Sequence, residues 1–199
     1  MKITNCILLF LIFLSASCNK NENIHNGVTG TVLDKTTNTP VADAEVGLFE
    51  KDAEIFGGLG GVLLETKYAE SDGSFHFDFT ERSGYNYYVH AIKEQYFNDQ
   101  SNNITYIHNG DDDVIVYLQP QGYLNIHFKN VLPSSPSDQF GINGYVTDNF
   151  VGNDLDTNVI YTVYSNMLIE LHWAVGYDET ISDTIYCPSF DTTYFEILY

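Results

Sequence analysis

Two histidines, His76 and His90, lie on neighbouring strand-like runs on either side of Arg82. Paired across two strands, their imidazoles would stand side by side and could begin a zinc or copper site. A structural zinc takes four ligands and no cysteine lies near enough to supply more, so an exposed polar pair on a sheet face is the simpler expectation. His127 and His172, also flanked by strand residues, receive the same reading. Asp154, Asp156 and Asn158 have the alternating oxygens that open an EF-hand loop. Its sixth position holds Val159 instead of glycine, and its twelfth holds Ser165 instead of glutamate. Asp111-Asp112-Asp113 reads as a solvated turn. Cys187 is followed by Pro188 with no histidine close in sequence, so its thiol is expected to be a half-buried spectator and not a nucleophile. Trp173, in Leu171-His172-Trp173-Ala174, suits a core position better than a sugar-stacking platform. These residues assemble no catalytic constellation, no metal site and no cofactor site.

The elements around them are strands. Runs of alternating polar and apolar residues recur about every eight to twelve residues with turn residues between them, a rhythm of sandwiches and barrels. Fifteen Tyr and thirteen Phe suit strands that bury one face. In the first half the runs are Gly27–Asp34, Ala44–Lys51, Leu63–Glu70, Gly73–Phe79, Tyr85–Lys93, Ile104–His108 and Val114–Gln119. In the second they are Gly122–Val131, Gly141–Asp148, Asn158–Ser165, Met167–Tyr177, Thr180–Cys187 and Thr192–Leu198, with Asn149–Asp156 read as a long turn. Phe75, Phe77 and Phe79 alternate with His76 and Asp78 and should share the core face. The expected fold is all-β: one β-sandwich followed by a second small β-sandwich, in preference to extra strands extending the first sheet.

The net charge is −19. A surface this acidic repels phosphate backbones and anionic headgroups, which excludes nucleic acid as a partner. Membrane attachment must then come from an acyl chain or a helix. The N-terminus offers the former. Lys2 precedes the eight-residue apolar run Ile7–Leu14, and Ser15-Ala16-Ser17-Cys18 follows. The run is too short to span a bilayer, which takes about 20 apolar residues, and fits a signal-peptide core. With Cys18 the segment resembles a bacterial lipobox, although Ser15 occupies the usual leucine slot. The resemblance implies diacylglycerol on the Cys18 thiol, cleavage after Ser17 and acylation (palmitate) of the new amine. Ordinary signal-peptidase cleavage after Ser17 is the competing reading. Residues 1–17 are then a lipoprotein signal peptide and 18–26 a polar tether.

A second resemblance lies in the first half. Gly30-Thr31-Val32-Leu33-Asp34, then Pro40-Val41-Ala42-Asp43-Ala44 and Val46-Gly47-Leu48, is similar to the opening of carboxypeptidase regulatory-like domains. Ser71-Asp72-Gly73-Ser74-Phe75-His76-Phe77 and Lys93-Glu94-Gln95-Tyr96 resemble their later steps, with Gln95 where glycine is usual. The resemblance implies a transthyretin-like (prealbumin-like) β-sandwich over residues 27–120, leaving 121–199 as a second sandwich of no recognised family. It implies no enzyme. No histidine has glutamate three residues on, as a zinc carboxypeptidase needs, and the chain ends at Tyr199 without the Tyr-Arg-Gly-Ser of the transthyretin-fold hydrolase. The expectation is a non-catalytic outer-membrane lipoprotein of the cell envelope, its periplasmic or surface face left open. It would be held to the membrane by its lipid and present a β-sandwich surface to another envelope or extracellular protein. The alternative is a carbohydrate-binding surface lipoprotein serving nutrient capture, with Trp173, Tyr161, Tyr164 and Tyr177 as its glycan platform.

Overall fold

A computed structural model describes residues 25–54, 60–99, 103–108, 113–176 and 179–199. Among them are fourteen strands and no helix. The first seven are β1 (His25–Asp34), β2 (Glu45–Asp52), β3 (Val62–Tyr68), β4 (Ser74–Thr80), β5 (Tyr85–Ile92), β6 (Ile104–Ile107) and β7 (Asp113–Leu118). The second seven are β8 (Gln121–Lys129), β9 (Gln139–Gly144), β10 (Asp148–Val151), β11 (Asp156–Tyr164), β12 (Met167–Val175), β13 (Ile181–Cys187) and β14 (Thr192–Leu198).

The strands form because burial alternates as the pleat demands. In β4, Phe75, Phe77 and Phe79 are buried while His76 and Asp78 face water. In β8, Leu124, Ile126 and Phe128 are buried between the more accessible Asn125, His127 and Lys129. The first-half sheets run β4-β1-β7 and β3-β2-β5-β6 and enclose one core, which includes Val28, Leu48, Phe77 and Leu118. The second-half sheets run β11-β8-β14 and β10-β9-β12-β13 around a separate core, which includes Leu124, Phe128, Phe140 and Trp173. No described strand of one half joins a sheet of the other.

The two halves have the same topology. Adding seven to each strand number turns β4-β1-β7 into β11-β8-β14 and β3-β2-β5-β6 into β10-β9-β12-β13. In both, the first strand is central in the three-stranded sheet, with the fourth antiparallel on one side and the seventh parallel on the other. The second half, unrecognised in sequence, repeats the architecture of the first. The repeat also corrects the reading of Asn149–Asp156 as one long turn, because β10 occupies its start and pairs with β9 in the place that β3 takes beside β2.

Only Gln119 and Pro120 separate β7 from β8, and both halves close over this joint. The Gln121 N–H donates to Gln95 O at 2.9 Å and the Ser165 hydroxyl to Pro120 O at 3.0 Å. Asn166 reaches across to the Thr36 hydroxyl at 2.7 Å, and the rings of Tyr96 and Phe190 meet edge-on at 5.2 Å. Gln95 adopts φ +66°, the left-handed conformation for which glycine is usual, so the turn keeps its shape with a bulkier residue. Burial and the adjacent Asp34 carboxylate push the Tyr96 phenol up to about 12, so it stays a hydrogen-bond donor to Asp34.

Candidate functional site: the open edge of β3

Among the described residues, strand β3 hydrogen-bonds to β2 alone, so its other side is a sheet edge. Val62, Leu63, Leu64 and Tyr68 are 63%, 51%, 42% and 65% exposed. Proteins usually blunt such an edge by making it short, charging it or covering it, because a row of free peptide groups flanked by apolar side chains is a template for another chain. The molecule contains its own comparison. β10, the topological counterpart, has four residues; β3 has seven.

The direction of the free peptide groups follows from the neighbouring turn. Ala69 N–H donates to Ala44 O and Ala69 O accepts from Asp43 N–H, each at 2.9 Å, so the peptide groups of residue 69 face β2. Alternation then turns those of Lys67 and Glu65 toward β2 and those of Thr66 and Tyr68 outward. A bulge makes Leu64 the extra residue between the pairs Leu63–Phe49 and Glu65–Leu48. The side chains alternate as well. Lys67 lies over the sandwich seam, with Nζ 2.7 Å from His76 O on β4, 3.4 Å from Glu65 and 5.2 Å from the centre of the Phe77 ring. The one cation on this strand is therefore partly engaged over the seam between the two sheets, while its side chain remains about a third exposed. Two hollows flank the end of the strand. One, of about 400 Å³, is lined by Glu45, Tyr68, Ile92 and Glu94, and the other, of about 340 Å³, by Lys67, Tyr68, Phe75 and His76. An added strand would place alternate side chains toward them.

The residues singled out in the sequence lie elsewhere or are spent on structure. Cys18, with the whole of 1–24, falls outside the described residues, as do Asp111, Asp112 and Tyr177. His76 and His90 are not a cross-strand pair. β4 and β5 belong to different sheets, so the chain between them crosses the sandwich; His76 stands opposite Thr29 and His90 opposite Gly47. His90 is half-buried beside Phe49, its Nε2 has no hydrogen-bond partner among the described residues, and burial lowers its pKa, which favours the neutral ring. His127 lies between Asp156 on β11, at 2.6 Å, and Glu196 on β14, at 3.0 Å. Hydrogen bonds to these carboxylates, that to Asp156 foremost, raise its pKa, and donation from both nitrogens requires the imidazolium. It ties the central strand of its sheet to both neighbours and leaves no lone pair for a metal. Asp156 also accepts from Lys129 at 2.8 Å, so the would-be calcium loop is a strand start held in ion pairs. Among the described residues no group of three or more His, Cys, Asp or Glu side chains is arranged to hold a metal ion.

Trp173 is 8% exposed and packs edge-on to Phe195 in the second core. Tyr161 donates to Asp148, and Tyr164 is wedged against Phe97 and Tyr145. The three described aromatics of the expected glycan platform are thus not assembled on one face. Cys187 is fully buried and burial raises its pKa, which suppresses the thiolate.

No protein-family model matches the chain, and no curated protein matches it in sequence. Solved structures overlap it loosely. The Bacillus anthracis TIE protein matches 88% of the chain at 10% identity and a TM-score of 0.40; the chain spans about a third (34%) of that protein. A shaft pilin SpaA mutant from Lactobacillus rhamnosus GG matches 88% of the chain, with 97% of its own length covered, at 10% identity and TM-score 0.37. A streptococcal ancillary pilin matches 88%, with 63% of its own length covered, at 12% identity and TM-score 0.40.

Proposed function

We propose that this is a non-catalytic, lipid-anchored protein of the bacterial cell envelope that offers the open edge of β3 to a protein partner. One observation carries the reading: a seven-residue edge strand whose large apolar residues face water, in a molecule whose equivalent edge is cut to four residues. Strand addition supplies affinity through main-chain hydrogen bonds, and the hollows beside Tyr68 supply discrimination. The address comes from the N-terminus: acylated Cys18 in the outer membrane, a tether that ends at residue 24 and not at the expected 26, because β1 already pairs with β4 from His25, then a carboxypeptidase regulatory-like module up to 120 and its topological repeat over 121–199. The strand order of the second half supports treating both halves as modules of one kind.

The test is Thr66→Pro. The Thr66 N–H points away from β2, so proline there leaves the existing ladder intact and removes the donor an incoming strand needs. Complexes cross-linked in intact envelopes should fall at least about tenfold, with the melting temperature unchanged. Equal yields from both proteins would refute docking at this edge.

A further inference from the structure

We infer that the strand taken up by β3 is β3 of a second copy, laid antiparallel about a two-fold axis through Thr66. This rests on the reading of the edge as a docking strand and names its partner. Thr66 and Tyr68 direct their peptide groups outward, so a symmetric ladder must pair outward-facing residues with each other, and its axis must pass through a residue and not between two. Centred on Glu65, the pairing sets Glu65 against Glu65. Centred on Lys67, it sets Lys67 against Lys67. Centred on Thr66, it sets Glu65 of each copy against Lys67 of the other, Leu64 against Tyr68, and threonine against threonine.

Opposite charges directly across a ladder stabilise it and like charges oppose it. The strand is therefore self-complementary in one register and self-repelling in the two adjacent ones. Glu65 and Lys67 fall in the non-hydrogen-bonded positions, where Cα atoms approach to about 4.5 Å. The Lys67 ammonium, bound to His76 O and near its own Glu65, has a third proton to give. The net charge of −19 per copy opposes association at long range. Salt screens that repulsion beyond roughly 8 Å at physiological strength, and the paired strands themselves carry equal numbers of both signs. The product is a continuous eight-stranded sheet, β6-β5-β2-β3 joined to its own mirror order. Two short strands make a small interface, transient in dilute solution and favoured when both copies share one membrane.

The test uses the full-length chain in detergent micelles and in liposomes. Thr66→Cys should be trapped as a disulfide-linked dimer, because the two sulfurs meet on the axis. Val62→Cys on the same strand should give less than about a tenth of that yield, since its two copies stand on the order of 26 Å apart. In the Thr66→Cys background, Glu65→Lys and Lys67→Glu should each lower the yield about tenfold, and the two together should restore it. Restoration separates the cross-strand pair from the bond that Lys67 makes within its own copy. Equal cross-linking at 62 and 66, or a double swap no better than either single change, overturns the dimer. If Thr66→Cys stays monomeric while Thr66→Pro still abolishes envelope complexes, the second copy is the wrong partner and the docking edge stands. If Thr66→Pro changes nothing either, both readings fall.

Discussion

Cys18→Ala should release the protein from the membrane fraction and abolish labelling by palmitate. The surface is acidic, so nothing but the N-terminus holds the chain to anionic lipid in this account. Each buried methylene of an acyl chain contributes about 0.8 kcal/mol, and stable anchoring takes more than one chain. Losing all of them should lower the share sedimenting with carbonate-washed membranes on the order of a hundredfold. The apolar run Ile7–Leu14 cannot substitute, because eight residues fall far short of a bilayer. An unchanged sedimenting share, or palmitate label that survives the substitution, would contradict the anchor.

Gly30→Ala should destabilise the first sandwich. Gly30 lies mid-way along β1, between β4 and β7. A methyl there would stand 2.3 Å from Phe75 Cζ, 2.6 Å from the Val114 carbonyl oxygen and 2.7 Å from Val114 Cγ2. The ring can turn aside, but the carbonyl belongs to the β1–β7 ladder and cannot retreat without opening it. Overpacking of this kind costs about 1–3 kcal/mol or more, against a total stability of roughly 5–15. At about 4–8 °C per kcal/mol for a module of this size, the melting temperature should drop by about 4–24 °C. Gly60→Ala, with no atom of the described residues within 4 Å of the added carbon, is the matched control and should melt with the parent. Equal melting of the Gly30 and Gly60 variants would mean that β1 and β7 are not packed as described.

Gly30 also marks how far the sequence could be read. Alternating runs bounded by turn residues placed every strand of the first half within two residues of its observed ends, because alternation and turn chemistry are local. β10 escaped because Asn149, Gly152 and Asn153 give its surroundings the composition of a loop, and four residues hold too little alternation to oppose it. The repeat of topology left no comparable trace, since strand order is a relation between distant segments. The same reason defeated the pairing of His76 with His90. Adjacency in sequence suggested a hairpin, whereas the chain steps from one sheet to the other between them. The candidate edge was hidden most thoroughly. Val62-Leu63-Leu64 has a core-like composition, yet all three are exposed and β3 has no second neighbour among the described residues. The signal that was present is Glu65-Thr66-Lys67, whose symmetry acquires meaning once the strand is known to be an edge.

Amide hydrogen exchange of β3 tests the central claim most directly. In the dilute purified protein the outward N–H groups of Thr66 and Tyr68 have no strand beyond them and should exchange quickly, while those of Glu65 and Lys67 are held by β2. In the membrane, at native density, Thr66 and Tyr68 should slow at least about tenfold while exchange in β10 stays the same. Equal exchange of Thr66 and Tyr68 under both conditions would show that no chain ever adds to this edge.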